Sequence, residues 1–162
     1  MTYIKSFANV FPGRKVDAGM MVFNSGSTVS ILRSLTESGG ELVTGPVKLA
    51  QRVVLRLLSA TGTYRYEGSE ASTFATDIKS FSLTSVADIR SSLNESIQQL
   101  QAIFDQELND AATAGEAIPL DEQLSGIVIN SIRLDQTIAN ISLTIVTRAG
   151  TSFKFIAPVR IA

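Results

Sequence analysis

Residues 137–161 alternate apolar and polar side chains with a period of two, interrupted once by a turn, and this pattern limits the fold more than any other stretch of the chain. Ile141, Leu143 and Ile145 fall on one face, and Asn140, Ser142 and Thr144 on the other. Arg148-Ala149-Gly150 is short enough to reverse the chain, with glycine supplying the left-handed backbone that such a loop needs. Beyond it, Phe153, Phe155, Ala157, Val159 and Ile161 share a face, opposite Ser152, Lys154, Ile156 and Arg160. Strands of this kind have one covered face and one wetter face, so they belong to an antiparallel sheet coated on one side. Residues 126–135, rich in Ile and Val, predict a third strand of the same sheet. Pro158 has no N–H to donate, which makes 151–161 an edge strand or one bulged at that point.

The coat is predicted to be helical. Val86, Ile89, Leu93, Ile97, Leu100, Phe104 and Leu108 recur at three- and four-residue spacing, the apolar stripe of a long helix over 85–112. Ser85 is placed to cap it, with Asp88 three residues on completing a capping box. A shorter helix is predicted over 46–60. Gly45-Pro46 opens it, since proline in the first turn forfeits no needed N–H, and Gly62 follows its end. Val47, Ala50, Val53, Val54, Leu57 and Leu58 form one face of this helix, while Lys48, Arg52 and Arg56 step by four along another. Two helices on a small meander define an α+β fold. Short strands are expected over 20–23, 28–35 and 41–43, the first two around Asn24-Ser25-Gly26. A loop with one irregular or short helical piece is expected over 67–84. Residues 1–18 read as an arm, with a Pro12-Gly13 turn, and residues 19–162 as one domain.

At 162 residues the chain can bury roughly 70% of its unfolded surface, enough for a core without metal or disulfide. It contains neither cysteine nor histidine, which removes disulfides, thiol nucleophiles, Cys- or His-ligated zinc and any Ser-His-Asp triad. A net charge of −1 gives no reason to expect nucleic acid or an anionic membrane as partner. No run approaches the roughly 20 apolar residues of a membrane span. The segment MTYIKSFANVFPGRK has no apolar core long enough for a secretory signal, so synthesis in the cytoplasm is expected.

Chemistry is hard to place. A glycosidase needs two carboxylates at a set separation, and Glu67, Glu70, Asp77, Glu95, Asp105, Glu107, Asp121 and Glu122 offer many pairs. None of the glutamates stands in an apolar run that would raise its pKa, as a general acid requires. The glycines form no phosphate-binding loop, the aspartates do not follow calcium-loop spacing, and no cofactor motif is present. The expectation is a protein that is not an enzyme and carries no cofactor or metal.

Three features suggest contact with other proteins instead. Lys48, Arg52 and Arg56 read either as a docking stripe for an acidic partner or as the water-facing side of an amphipathic helix. Tyr64-Arg65-Tyr66 combines residue types enriched at interface hot spots, which also cover the rims of ordinary cores. The last strand, as an open edge, can accept a partner strand through its main chain over 151–157, where Thr151, Phe153, Lys154 and Ile156 lie. The alternative is an edge left solvated by Lys154 and Arg160.

The stretch Leu42-Val43-Thr44-Gly45, then Gln51-Arg52, Leu57-Leu58, Gly62, Tyr64 and Tyr66, resembles the small baseplate-wedge proteins of contractile phage tails. These form the sheath-initiator family, some members of which carry a lysozyme label. The likeness extends over roughly residues 28–160 through the order of the later elements. The chain departs from the family where relatives carry a Glu-Pro-Arg-like motif; it reads Gly115-Glu116-Ala117-Ile118-Pro119-Leu120. It departs again after the aromatic segment, at Glu67-Gly68-Ser69-Glu70. The resemblance implies a structural virion protein of the tail baseplate, six copies per assembly, made in the host cytoplasm. Its partners would be the sheath protein and other wedge, hub or tube proteins. It also implies that the sheet mimics the interlocking domain of the sheath subunit, so that arms of the first sheath ring add to it as strands. Another tail adaptor or tube-end ring protein is the alternative, and a peptidoglycan glycosidase a third reading.

Overall fold

The computed structural model describes residues 17–18, 21–23, 29–32, 42–59 and 72–161. Nearly all of the expected N-terminal arm, and Tyr64, Tyr66, Glu67 and Glu70, lie outside the described residues. Among the described residues the architecture is α+β: three helices and a three-stranded antiparallel sheet. Among the described residues four short strands precede these helices. Strand β1 (Asp17–Ala18) pairs with β4 (Leu42–Val43), and β2 (Met21–Phe23) pairs with β3 (Val29–Leu32), both antiparallel and apart from the main sheet.

Helix α1 spans Gly45–Leu58 and α3 spans Val86–Thr113. Between them the short helical piece expected within 67–84 is α2, Thr73–Lys79. Ser72 caps α2 by accepting from the Ala75 N–H at 3.4 Å, and its hydroxyl donates to the Leu57 carbonyl at 2.6 Å, tying α2 to the end of α1. The predicted capping box of α3 is present. Ser85 Oγ accepts from the Asp88 N–H at 3.1 Å, and the Asp88 carboxylate accepts from the Ser85 and Thr84 hydroxyls at 2.8 and 3.0 Å. Those hydroxyls hold Asp88 below its ordinary pKa.

The apolar stripe of α3 buries Ile89, Leu93, Leu100 and Phe104 as its spacing predicts. Helix α1 is covered more widely than its predicted face. Leu49, Ala50, Val53, Val54 and Leu57 are buried, and so are Gln51 and Arg56, while Leu58 is exposed. The reason is its position: α1 packs at once on α2, α3, strand β6 and the turn before the sheet.

That sheet is a meander of β5 (Leu124–Asp135), β6 (Ile138–Thr147) and β7 (Ser152–Arg160), in the order β5-β6-β7. Register puts apolar residues in rows across it. Ile145 stands between Ile127 and Phe153, Leu143 between Ile129 and Phe155, and Ile141 between Ile132 and Ala157. Those rows face the helices, α3 over β5 and α1 over β6, and together they form the core. Strand β5 carries two bulges, at Ser125 and Asn130, which keep its residues in phase with β6.

Both hairpin turns use left-handed backbone. Gly150 has φ +83°, as its position in the 148–150 loop predicts, and Gln136 has φ +52° in the tight β5–β6 turn. Left-handed backbone costs a residue with a Cβ about 1–2 kcal/mol. Replacing Gly150 by alanine should therefore lower the melting temperature by about 2 to 8 °C. Replacing Gln136 by glycine should raise it slightly, since the relief of strain exceeds glycine's entropic penalty of about 0.5–1 kcal/mol. Thermal denaturation followed by circular dichroism checks both signs.

Candidate functional site

Two features of the fold bear on function: the open sides of the sheet, and a seam of charge that fixes α1 against it.

The hydrogen-bond phase of the sheet follows from two bonds. The Thr147 N–H donates to the Thr151 carbonyl and the Ile161 N–H to the Thr137 carbonyl, each at 2.9 Å. Antiparallel pairs alternate between those that exchange both bonds and those that exchange none. Combined with the register, odd-numbered residues of β7 bond to β6, and Ser152, Lys154 and Ile156 turn their main-chain groups away from the sheet. Pro158 falls in the outward set, opposite Asn140, so its missing N–H costs the ladder nothing. Of the two placements the proline allows, edge or bulge, the strand takes the edge among the described residues.

The same phase applies to β5. Even-numbered residues of β6 point toward it, and their partners include Val128, Ser131, Arg133 and Asp135. Ile127, Ile129, Ile132 and Leu134 are left with outward main-chain groups. Among the described residues neither β5 nor β7 has a second strand beside it.

Of the β7 residues singled out from sequence, Lys154 and Arg160 are exposed on the wetter face and Ile156 is half-buried there. Phe153 packs half-buried against the core. Thr151 lies in the turn, where its N–H donates to Thr147 Oγ1 at 3.1 Å. These residues do share one strand and its approach, as the alternation implies.

The basic stripe of α1 is arranged differently from either expectation. Both readings had Lys48, Arg52 and Arg56 facing outward, to a partner or to water; the fold turns them inward onto carboxylates of the same chain. Lys48 Nζ lies 3.0 Å from Glu122 Oε2. Arg52 donates to both oxygens of Glu107, at 2.8 and 2.7 Å, and Arg56 donates to Glu107 Oε1. The two guanidinium groups stand 5.2 and 4.9 Å from the centroid of the Phe104 ring, within cation–π range. The cause is crowding: with α1 packed on four neighbours, its polar side faces the polar side of α3 rather than solvent. Arg148 and Asp105, 3.1 Å apart and both exposed, extend the seam at its rim, where an ion pair adds little.

Glu122 holds the innermost position. It ends a single 3₁₀ turn, Leu120–Glu122, and its carboxylate meets the start of α1. Oε1 accepts from the Gly45 N–H and from the Thr44 hydroxyl, both at 2.9 Å. A helix N-terminus leaves its first N–H groups unpaired and carries partial positive charge, so a carboxylate there is doubly favourable. The turn is itself anchored, because the main-chain N–H groups of Arg148 and Ala149 donate to the Gln123 and Leu120 carbonyls at 2.9 and 3.2 Å. Neither Glu107 nor Glu122 was picked out by local spacing as a partner of the stripe. They lie 51 to 78 residues from the groups they bind, a separation that no local pattern spans.

Burial by itself pushes both carboxyls up. For Glu107 the Arg56 and Arg52 guanidiniums outweigh it. For Glu122 the Gly45 N–H, the Lys48 ammonium and the Thr44 hydroxyl do so, and both groups titrate below the ordinary value. This is the reverse of what a glycosidase general acid needs. Among the described residues no group of three or more acids is arranged to hold a metal ion, and no helix is long and apolar enough to cross a membrane. No protein-family model, curated protein or solved structure matches this chain.

A carboxyl with a depressed native pKa stabilises the fold fully above its unfolded value, and that contribution is lost as pH falls through the native one. Stability should therefore hold near neutrality and fall as pH drops below the ordinary glutamate value of 4.5. The double variant Glu107→Gln, Glu122→Gln should start lower and show a shallower acid limb; urea denaturation at a series of pH values reads this. Glu122→Ala should cost about 3 kcal/mol at neutral pH, because it removes an acceptor from the buried Gly45 N–H and from the Lys48 ammonium.

Proposed function

We propose that this chain is a non-enzymatic structural subunit of a contractile phage tail baseplate, where it templates sheath assembly by sharing β-strands with the first sheath ring. The observation that carries the reading is the sheet. Among the described residues three strands are backed on one face by helices and have no further strand at either side, which supports a β layer completed by chain from another molecule. Free main-chain donors and acceptors at an edge recruit a strand wherever geometry allows.

The resembling residues fit a supporting role in this scheme. Thr44 and Gly45 seat α1 on Glu122, Gly45 with φ +62° in a buried position that favours glycine. Arg52 clasps Glu107, and Leu57 is buried in the core. They hold the helix layer under the sheet and leave the edges as the working surface. The partners are the sheath protein and neighbouring wedge, hub or tube proteins, with six copies in the tail baseplate of the virion. An adaptor or tube-end ring protein would use the same open edges, and position along the tail separates the two readings.

Electron microscopy of the host particle tests the assignment. The chain is expected at the junction of sheath and baseplate with six-fold multiplicity; a position anywhere else overturns it. Turnover of cell-wall peptidoglycan by the purified protein is expected to stay at background, and Glu67→Gln or Glu70→Gln should change nothing.

A further inference from the structure

Among the described residues the sheet has two open sides, and they are not equivalent. We infer that the partner strand adds to β5, beside Ile132 and Leu134, rather than to the C-terminal strand β7. This rests on the strand-sharing role proposed above and specifies where on the sheet the sharing takes place and what kind of strand fits.

Consider first what each edge leaves uncovered. On β7 the helix-facing residues Phe155, Ala157 and Val159 are only 5 to 7% exposed, so the apolar layer already closes over that side. Strand β3 lies close to β7 without joining the sheet. Exposed Lys154 and Arg160 flank the edge on the wetter face, and Pro158 withholds a donor in the outward set. Charged side chains and proline are the usual means of discouraging strand addition.

On β5 the situation is reversed. The helix-facing row Ile127, Ile129 and Ile132 is only partly buried, and Leu134 is 36% exposed. These are the same four residues whose main-chain N–H and C=O groups point outward. Apolar row and unpaired main chain therefore coincide on one set of residues. Water satisfies the main chain but not the side chains, and a docked helix covers the side chains but not the main chain. An extended strand with apolar residues at alternate positions does both.

The bulge at Asn130 sets the register of that strand. Its side-chain amide donates to Thr144 Oγ1 at 2.8 Å, which pins the extra residue to β6 and leaves 131–135 as an unbroken acceptor segment. The incoming strand would place apolar side chains beside Ile132 and Leu134 over α3. Its intervening residues would be polar, facing exposed Arg133 and Asp135 on the other side.

The test uses the full-length chain and the purified sheath protein encoded with it, with binding measured by biolayer interferometry. Ile132→Pro removes an outward donor without breaking a bond to β6, and Leu134→Lys sets a charge on the edge without touching the backbone. Ile156→Pro and Ile156→Lys are the matched changes on β7. Melting temperatures confirm that each variant folds, and the lysine pair decides the matter where a proline variant does not. Both β5 variants should weaken binding about tenfold or more, and the β7 variants less than about twofold, tenfold being about 1.4 kcal/mol. Loss of binding with the β7 variants alone, or equally with both sets, overturns the assignment to β5 and leaves strand sharing intact. No binding by the unaltered chain overturns strand sharing with the sheath, and the edge assignment with it.

Discussion

The carboxylate of Glu122 joins the parts of this fold. It is reached from the sheet, because the loop between β6 and β7 holds the 3₁₀ turn through the N–H groups of Arg148 and Ala149. It ends on the helix layer, at the Gly45 N–H, the Thr44 hydroxyl and the Lys48 ammonium. One buried anion thus fixes where α1 begins relative to the strands. A buried charge is destabilising unless it is paired and fully hydrogen-bonded, and here a cation, a hydroxyl and a helix N-terminus all converge on it. The Arg52–Glu107–Arg56 cluster repeats the arrangement one to two turns along α1, fixing the helix against α3.

With α1 and α3 held in this way, the sheet has a rigid back. Its apolar rows are then divided by position rather than by composition. Ile141, Leu143 and Ile145, in the middle strand, are at most 1% exposed, whereas the equally aliphatic residues of β5 remain partly open, with no strand among the described residues outside them. A β layer whose outer strands are open among the described residues, on a fixed helical support, fits the strand sharing proposed above. Flexibility is not needed for that, only an edge whose main chain and side chains are presented together.

Much of this plan can be read without coordinates. The alternation over 137–161 names the strands and their buried face, and the spacing from Val86 to Leu108 names the long helix. Gly150 marks the turn between the last two strands, and Pro158 marks an edge. Each signal is local: a period, a cap, a missing N–H. The candidate site is legible only in part. Pro158 points to an edge or a bulge in β7, but the claim of β5 depends on register, on two bulges and on which apolar row stays partly uncovered. The stripe Lys48, Arg52 and Arg56 shows the limit most clearly. Its four-residue step identifies a polar face correctly, yet a face is not a direction, and the partners that turn it inward come from α3 and from the turn before β5.

The amino-acid order by itself determined the class of fold, the three β segments that close the chain and which side of each of the last two strands is apolar. Backbone sterics and side-chain periodicity act over a few residues and leave their mark in the text of the chain. Tertiary structure alone decided which charges pair, where α1 sits and which edge keeps its apolar row uncovered. Those outcomes depend on groups separated by fifty or more residues meeting at hydrogen-bond distance, and no local pattern encodes that meeting.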